Sequence, residues 1–136
     1  LPQGLKTIGS NTFGWCTSLS TLFIPSSVES IGMMSLRING FNTTIVYEGT
    51  SNNLLNSEKF EELSSIENLS LILPAVTNAS DASNIMNACT FHHEDPDHPE
   101  DNRTFTPKVY YNWNGSGTYE AATDAEKLNT ANYTSL

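Results

Sequence analysis

Two cysteines in 136 residues are too few for a disulfide framework, so the redox compartment must be inferred from other features. Basic residues are scarce as well: 6 Lys and Arg stand singly against 15 Asp and Glu, for a net charge of -9. That excludes the basic footprint on which binding to nucleic acid rests. No apolar run approaches the roughly 18 residues of a membrane-spanning helix, so no membrane span is expected. The start carries no initiator Met, basic n-region or apolar h-region, and any secretory signal is expected to have been removed or to lie outside the chain. Also missing are a phosphate-cradling glycine loop, a G-x-S-x-G nucleophile turn and a carboxylate pair in apolar surroundings. With 38% hydrophobic residues, the core of this acidic protein is expected to be modest.

What is present is repetition. The phrase Leu1-Pro2-Gln3-Gly4-Leu5-Lys6-Thr7-Ile8-Gly9 returns 23 residues later as Ile24-Pro25-Ser26-Ser27-Val28-Glu29-Ser30-Ile31-Gly32. At the same offset Phe13 matches Leu36 and Leu22 matches Ile45. Apolar positions, Pro and Gly are retained, whereas Lys6 becomes Glu29 and Gln3 becomes Ser26. Equivalent inward side chains that stack between coils while outward ones vary are the mark of a solenoid. A period of 23 falls in the range of leucine-rich repeats, and Leu19, Leu22 and Ile24 supply the L-x-x-L-x-L spacing of that class.

The stretches IPSSVESIG, SNTF and Cys16-Thr17-Ser18-Leu19 resemble BspA-type leucine-rich repeats, a bacterial and protist surface variety. The second coil departs from the pattern: Ser35-Leu36 stands in place of Ala-Phe, Asn39 takes the place of Cys16 and Asn42 that of Leu19. Ile45 to Thr50 resembles the phrase with which such arrays often close, and Val109 to Asn112 resembles a later closing strand. The resemblance implies a mainly β fold. About two 23-residue coils of a leucine-rich-repeat solenoid are expected over residues 1–50. A loop-rich C-terminal capping or extension region, with strands and one or two short helices, is expected over 51–136. It also implies a non-enzymatic extracellular or cell-surface protein for adhesion or recognition, partnered by a protein or glycan. The alternative is a structural subunit of a fibre that self-associates head to tail through strand addition, with Val109-Tyr110-Tyr111 as the donated strand. A third and weaker reading is a metal-dependent enzyme or hydrolase accessory. No cofactor is implied.

Among the elements, strands are expected at Leu19 to Ile24 and Ile45 to Tyr47, side by side, with Val28 to Ile31 opening the second coil. Ser57 as N-cap, followed by Phe60, Leu63 and Ile66 at helical spacing, predicts a short amphipathic helix over 57–66. Leu69 to Leu73 reads as a strand ending at Pro74, with Pro74 and Cys89 echoing Pro2 and Cys16. Residues 77–106 are polar and read as an excursion rather than a core element. A strand over Lys108 to Trp113, a turn at Asn114 to Gly117 and a Thr123–Glu126 capping box complete the expectations.

The densest chemistry lies in His92-His93-Glu94-Asp95-Pro96-Asp97-His98-Pro99-Glu100-Asp101. Its spacing matches neither H-E-x-x-H nor a twelve-residue Ca²⁺ loop, so a solvated acidic loop is the primary reading. His92, His93, Asp95, Asp97 and His98 are the candidate metal ligands otherwise. Cys16 and Cys89 admit three readings: packed thiols, a mutual disulfide, or a nucleophile lacking a suitable base. Phe23 alternates with Leu22 and Ile24, so with Val46 it is expected to begin an exposed apolar stripe. Tyr110, Tyr111 and Trp113 extend the candidate binding surface. Asn42, Asn68, Asn78, Asn102, Asn114 and Asn132 each head an N-x-[ST] acceptor for glycosylation.

Overall fold

Buried residues alternate with half-buried ones from Thr21 to Ile24 and from Thr43 to Ile45, which turns one face of each strand inward, and Val46 on the other face is buried as well. In a computed structural model that describes residues 1–38, 42–60 and 68–136, strands β2 (Thr21–Ile24), β4 (Asn42–Tyr47), β5 (Asn68–Leu73) and β8 (Lys108–Tyr111) lie side by side in parallel. The antiparallel β9 (Thr134–Ser135) closes the order β2-β4-β5-β8-β9. A second, two-stranded parallel sheet pairs β1 (Thr7–Ile8) with β3 (Ser30–Ile31).

The register carries the repeat into atoms. Leu22 lies beside Ile45, Ile45 beside Leu71 and Leu71 beside Val109, one inward row across four strands. The first step in this row spans 23 residues and the second 26. The third spans 38, and it contains the hairpin of β6 (Phe91–His93) with β7 (Arg103–Phe105). That hairpin is 15 residues long counted from Phe91 to Phe105, so without it the third step also spans 23. One continuous sheet therefore crosses the boundary expected after residue 50, and Pro74 follows Leu73 at the end of β5 as Pro25 follows Ile24 at the end of β2.

Ile8, Ile24, Val28, Ile31, Leu36, Ile45, Leu55, Phe60, Leu71 and Leu73 belong to one buried cluster behind the sheet. Stacking also fixes backbone approach, because a Cβ at Gly32 would run into the Ser10 backbone of the preceding repeat. Outward positions are coupled as well: Lys6 pairs with its repeat equivalent Glu29 at 2.7 Å, and the Asn68 amide donates to Asn42 at 3.0 Å.

Three expectations change. The stretch at 57–66 begins as a 3-10 turn, Ser57–Lys59, capped by the side chain of Asn56 rather than Ser57. Phe60 is fully buried there, while Leu63 and Ile66 lie outside the described residues. Residues 77–106 are not wholly an excursion, because helix α1 (Ala79–Cys89) packs Ala82, Ile85 and Cys89 into the core from an Asn78 cap. Finally, β8 is not a strand available for donation. It is paired with β5 on one side and β9 on the other, and Val109 is buried.

Candidate functional site

The outward face of the sheet carries its own row: Phe23, Val46, Ile72 and Tyr110 lie in register on β2, β4, β5 and β8. Alternation correctly turns this row away from the main core, yet it is not an exposed stripe. Val46 and Ile72 are 0% exposed, because the C-terminal segment folds back over them with Trp113, Tyr119, Leu128 and Tyr133. Apolar surface of this size favours any cover the chain can supply.

Several contacts hold that cover. The Trp113 ring meets Tyr119 at 5.7 Å and Tyr133 at 5.4 Å, both edge-on, and its indole N–H donates to the Gly117 carbonyl at 3.0 Å. Helix α2 (Asp124–Leu128) starts from the expected reciprocal capping box between Thr123 and Glu126. The Tyr133 hydroxyl donates to the Lys127 carbonyl at 2.7 Å, and β9 then pairs Thr134 with Tyr111.

Where this cover meets the ends of β2 and β4, it leaves a groove. One cavity of about 380 Å³ is lined by Gln3, Ser26, Glu48, Tyr119, Glu120 and Lys127. An adjoining one of about 220 Å³ shares Gln3, Glu48 and Lys127 and adds Leu1, Phe23 and Asp124. The linings hold three carboxylates, and Lys127 is their one basic side chain. Lys127 Nζ sits 4.7 Å above the Tyr119 ring, within cation–π range. The Tyr119 hydroxyl is buried, and the Glu48 carboxylate acts on it. Burial and then the Glu48 carboxylate raise the Tyr119 pKa; burial and Glu48 likewise push Tyr133 up to about 12.

Most of these residues escaped sequence reasoning, although a signal existed. The proline of the repeated phrase stands at Pro2 and Pro25, and the next position at that offset is Glu48. A carboxylate replaces the repeat's proline at the groove. Of the expected surface residues, Phe23 reaches the groove, Tyr110 is half-buried beneath the cover, Trp113 is half-buried as part of the cover, and Tyr111 packs against the main core.

The histidine-rich stretch forms the tip and flanks of the β6–β7 hairpin. His92 Nδ1 lies 2.8 Å from Thr104 Oγ1, and Asp95 is occupied in accepting from the Asp97 and His98 amides. The side chains that converge are His98, Glu100 and Asp101, not the expected set of His92, His93, Asp95, Asp97 and His98, and all three are exposed. Cys16 and Cys89 are both free thiols, so the expected alternative of a mutual disulfide is not formed. Cys89 is buried, which pushes its thiol up to about 12 and removes it as a nucleophile near neutral pH. Among the glycosylation candidates, Asn42 and Asn68 bond to each other, Asn78 caps α1, and the Asn102 side chain accepts from the Asp95 amide. Asn114 donates to Thr134 and Asn132 to the Glu126 carbonyl.

A family model described as BspA type leucine rich repeat region (6 copies) matches residues 1–114. No curated protein and no solved structure matches the chain. The groove thus joins repeat residues Gln3, Ser26 and Glu48 to Tyr119, Glu120, Asp124 and Lys127, which lie beyond the matched stretch.

Proposed function

This chain belongs to the BspA-type leucine-rich repeat family, and from that premise we propose that it is a non-enzymatic extracellular or cell-surface protein that recognises another macromolecule. Its repeats form part of a solenoid, and the groove between the sheet face and the C-terminal segment is the ligand site. The carrying observation is that groove: a concave place where rigid strand ends meet convergent polar groups and aromatic walls, at the lower end of the roughly 300–1,000 Å³ usual for binding pockets. A binding role is favoured over catalysis because the one buried thiol is held protonated and the histidines sit on an exposed hairpin. A protein partner is favoured over a glycan by the family's repeat architecture. The fibre alternative gains no support, since its intended donor strand β8 is paired on both sides.

The test is surface binding of the purified chain to an array of extracellular proteins and glycans, beside a Ser26→Trp variant. Ser26 is exposed and lines the groove, so the indole fills the groove and leaves the core intact. Saturable binding to a protein, weakened about tenfold or more by Ser26→Trp, is expected. Equal binding by the variant would move the site elsewhere, and turnover of a bound glycan would replace recognition with catalysis.

A further inference from the structure

We propose that the groove is a receptor for one basic side chain, an arginine or lysine presented by a partner protein. This rests on reading the groove as the ligand site and names the chemistry that site selects. Glu48, Glu120 and Asp124 line the two joined cavities, and Lys127 is the one basic side chain lining them. Glu48 is half-buried and Glu120 and Asp124 are exposed, so a cationic guest complements the charge of this lining where a neutral one does not.

A metal ion is the wrong shape of cation for this arrangement. Among the described residues, the only cluster whose ligand atoms all lie within 4.8 Å of one another is His98, Glu100 and Asp101 on the hairpin. Glu48, Glu120 and Asp124 do not form such a cluster. A guanidinium or ammonium on a long stem reaches several separated oxygens, and its apolar stem lies against aromatic rings. Phe23 and Tyr119 provide such rings. The structure also displays the interaction, since Lys127 lays its own ammonium over Tyr119 at 4.7 Å. Lys127 is thus an internal competitor for the guest. The Tyr119 hydroxyl, buried beside the Glu48 carboxylate, adds a polar group to the groove wall.

The experiment is a ¹H–¹⁵N NMR titration of the full chain at low salt with Nα-acetyl-arginine amide, and separately with its neutral isostere Nα-acetyl-citrulline amide. Arginine is expected to give saturable shifts at Glu48, Tyr119, Glu120 and Lys127, and citrulline to bind about tenfold more weakly or worse. Glu48→Gln combined with Glu120→Gln should abolish the shifts, whereas Lys127→Gln should strengthen binding by freeing the ring and the carboxylates. Glu100→Gln with Asp101→Asn on the hairpin should change nothing. Shifts that follow the hairpin acids, equal binding of citrulline, an unchanged affinity in Lys127→Gln, or no saturable shift at the groove would each overturn the proposal. If macromolecular binding is still blocked by Ser26→Trp in such a case, the groove survives as the ligand site and only its cationic guest is lost.

Discussion

At the scale of single residues, the repeat constrains side chains that look free in one dimension. Lys6 and Glu29 differ in sign because they are neighbours in the stack, though both are exposed and the pair adds little stability. Gly32 is constrained the other way. Gly32→Ala must push the Ser10 backbone aside, and a loss of about 1–3 kcal/mol in urea unfolding is expected; an unchanged midpoint would mean that the two repeats are not in contact there. Buried ionisable groups make a second residue-scale prediction. Tyr133 and Cys89 ordinarily ionise at 10.0 and 9.0, and the fold raises both to about 12 by excluding water from the charged form. The unfolded chain therefore loses these protons first. Their contribution to stability is complete below about pH 9 and disappears as pH rises towards 12. The urea midpoint should fall over that window, and fall less in Tyr133→Phe; a midpoint constant to pH 12 would contradict the burial of both groups.

At the scale of elements, what was legible followed the strength of the local signal. β2 and β4 were legible because β-branched and aromatic residues alternate at the 23-residue offset. Helix α1 was not, because its buried face consists of Ala82, Ile85 and Cys89, and two of these three residues are too small to stand out in a stretch rich in Asn, Asp and Ser. The Asn78 cap was its best signature, and Asn78→Ala should cost about 1 kcal/mol of thermal or urea stability. The histidine-rich stretch was read as a solvated acidic loop; it forms the tip and flanks of a paired hairpin, and its relation to the repeat appears only in the register. Phe91 and Phe105 are direct partners with stacked rings 4.9 Å apart, so the two ends of the insertion lie together. Removing residues 91–105 and joining Thr90 to Thr106 restores the 23-residue step from Leu71 to Val109. This deletion should fold cooperatively, with β5 and β8 still paired and a melting temperature within several degrees of the parent. A chain that no longer folds would show that the hairpin belongs to the repeat rather than interrupting it.

At the scale of the whole molecule, one sheet separates two apolar layers of unequal size, and only the larger was predictable. The inner layer repeats, so the pairs Ile8 with Ile31 and Leu22 with Ile45 announce it in the sequence. The outer layer does not, because its cover of Trp113, Tyr119, Leu128 and Tyr133 comes from a single non-repeated segment. Nothing in Tyr119 to Leu128 read alone says that its apolar side meets Val46 and Ile72, so the row was expected to be bare and the groove at its margin went unseen. The two layers should accordingly come apart in a truncation after Asn112. Loss of the cover exposes the row Phe23, Val46, Ile72 and Tyr110 and frees the edge of β8 that β9 occupies, while the inner layer and the four parallel strands remain. An exposed apolar sheet face with an open edge associates with copies of itself. The truncated chain should keep its β circular-dichroism signal, melt at a lower temperature and elute as oligomers, and it should lose the arginine response together with Tyr119 and Lys127. A truncated chain that stays monomeric and melts as the parent does would mean that the C-terminal segment rests on the sheet without stabilising it, and the groove would then have one rigid wall instead of two.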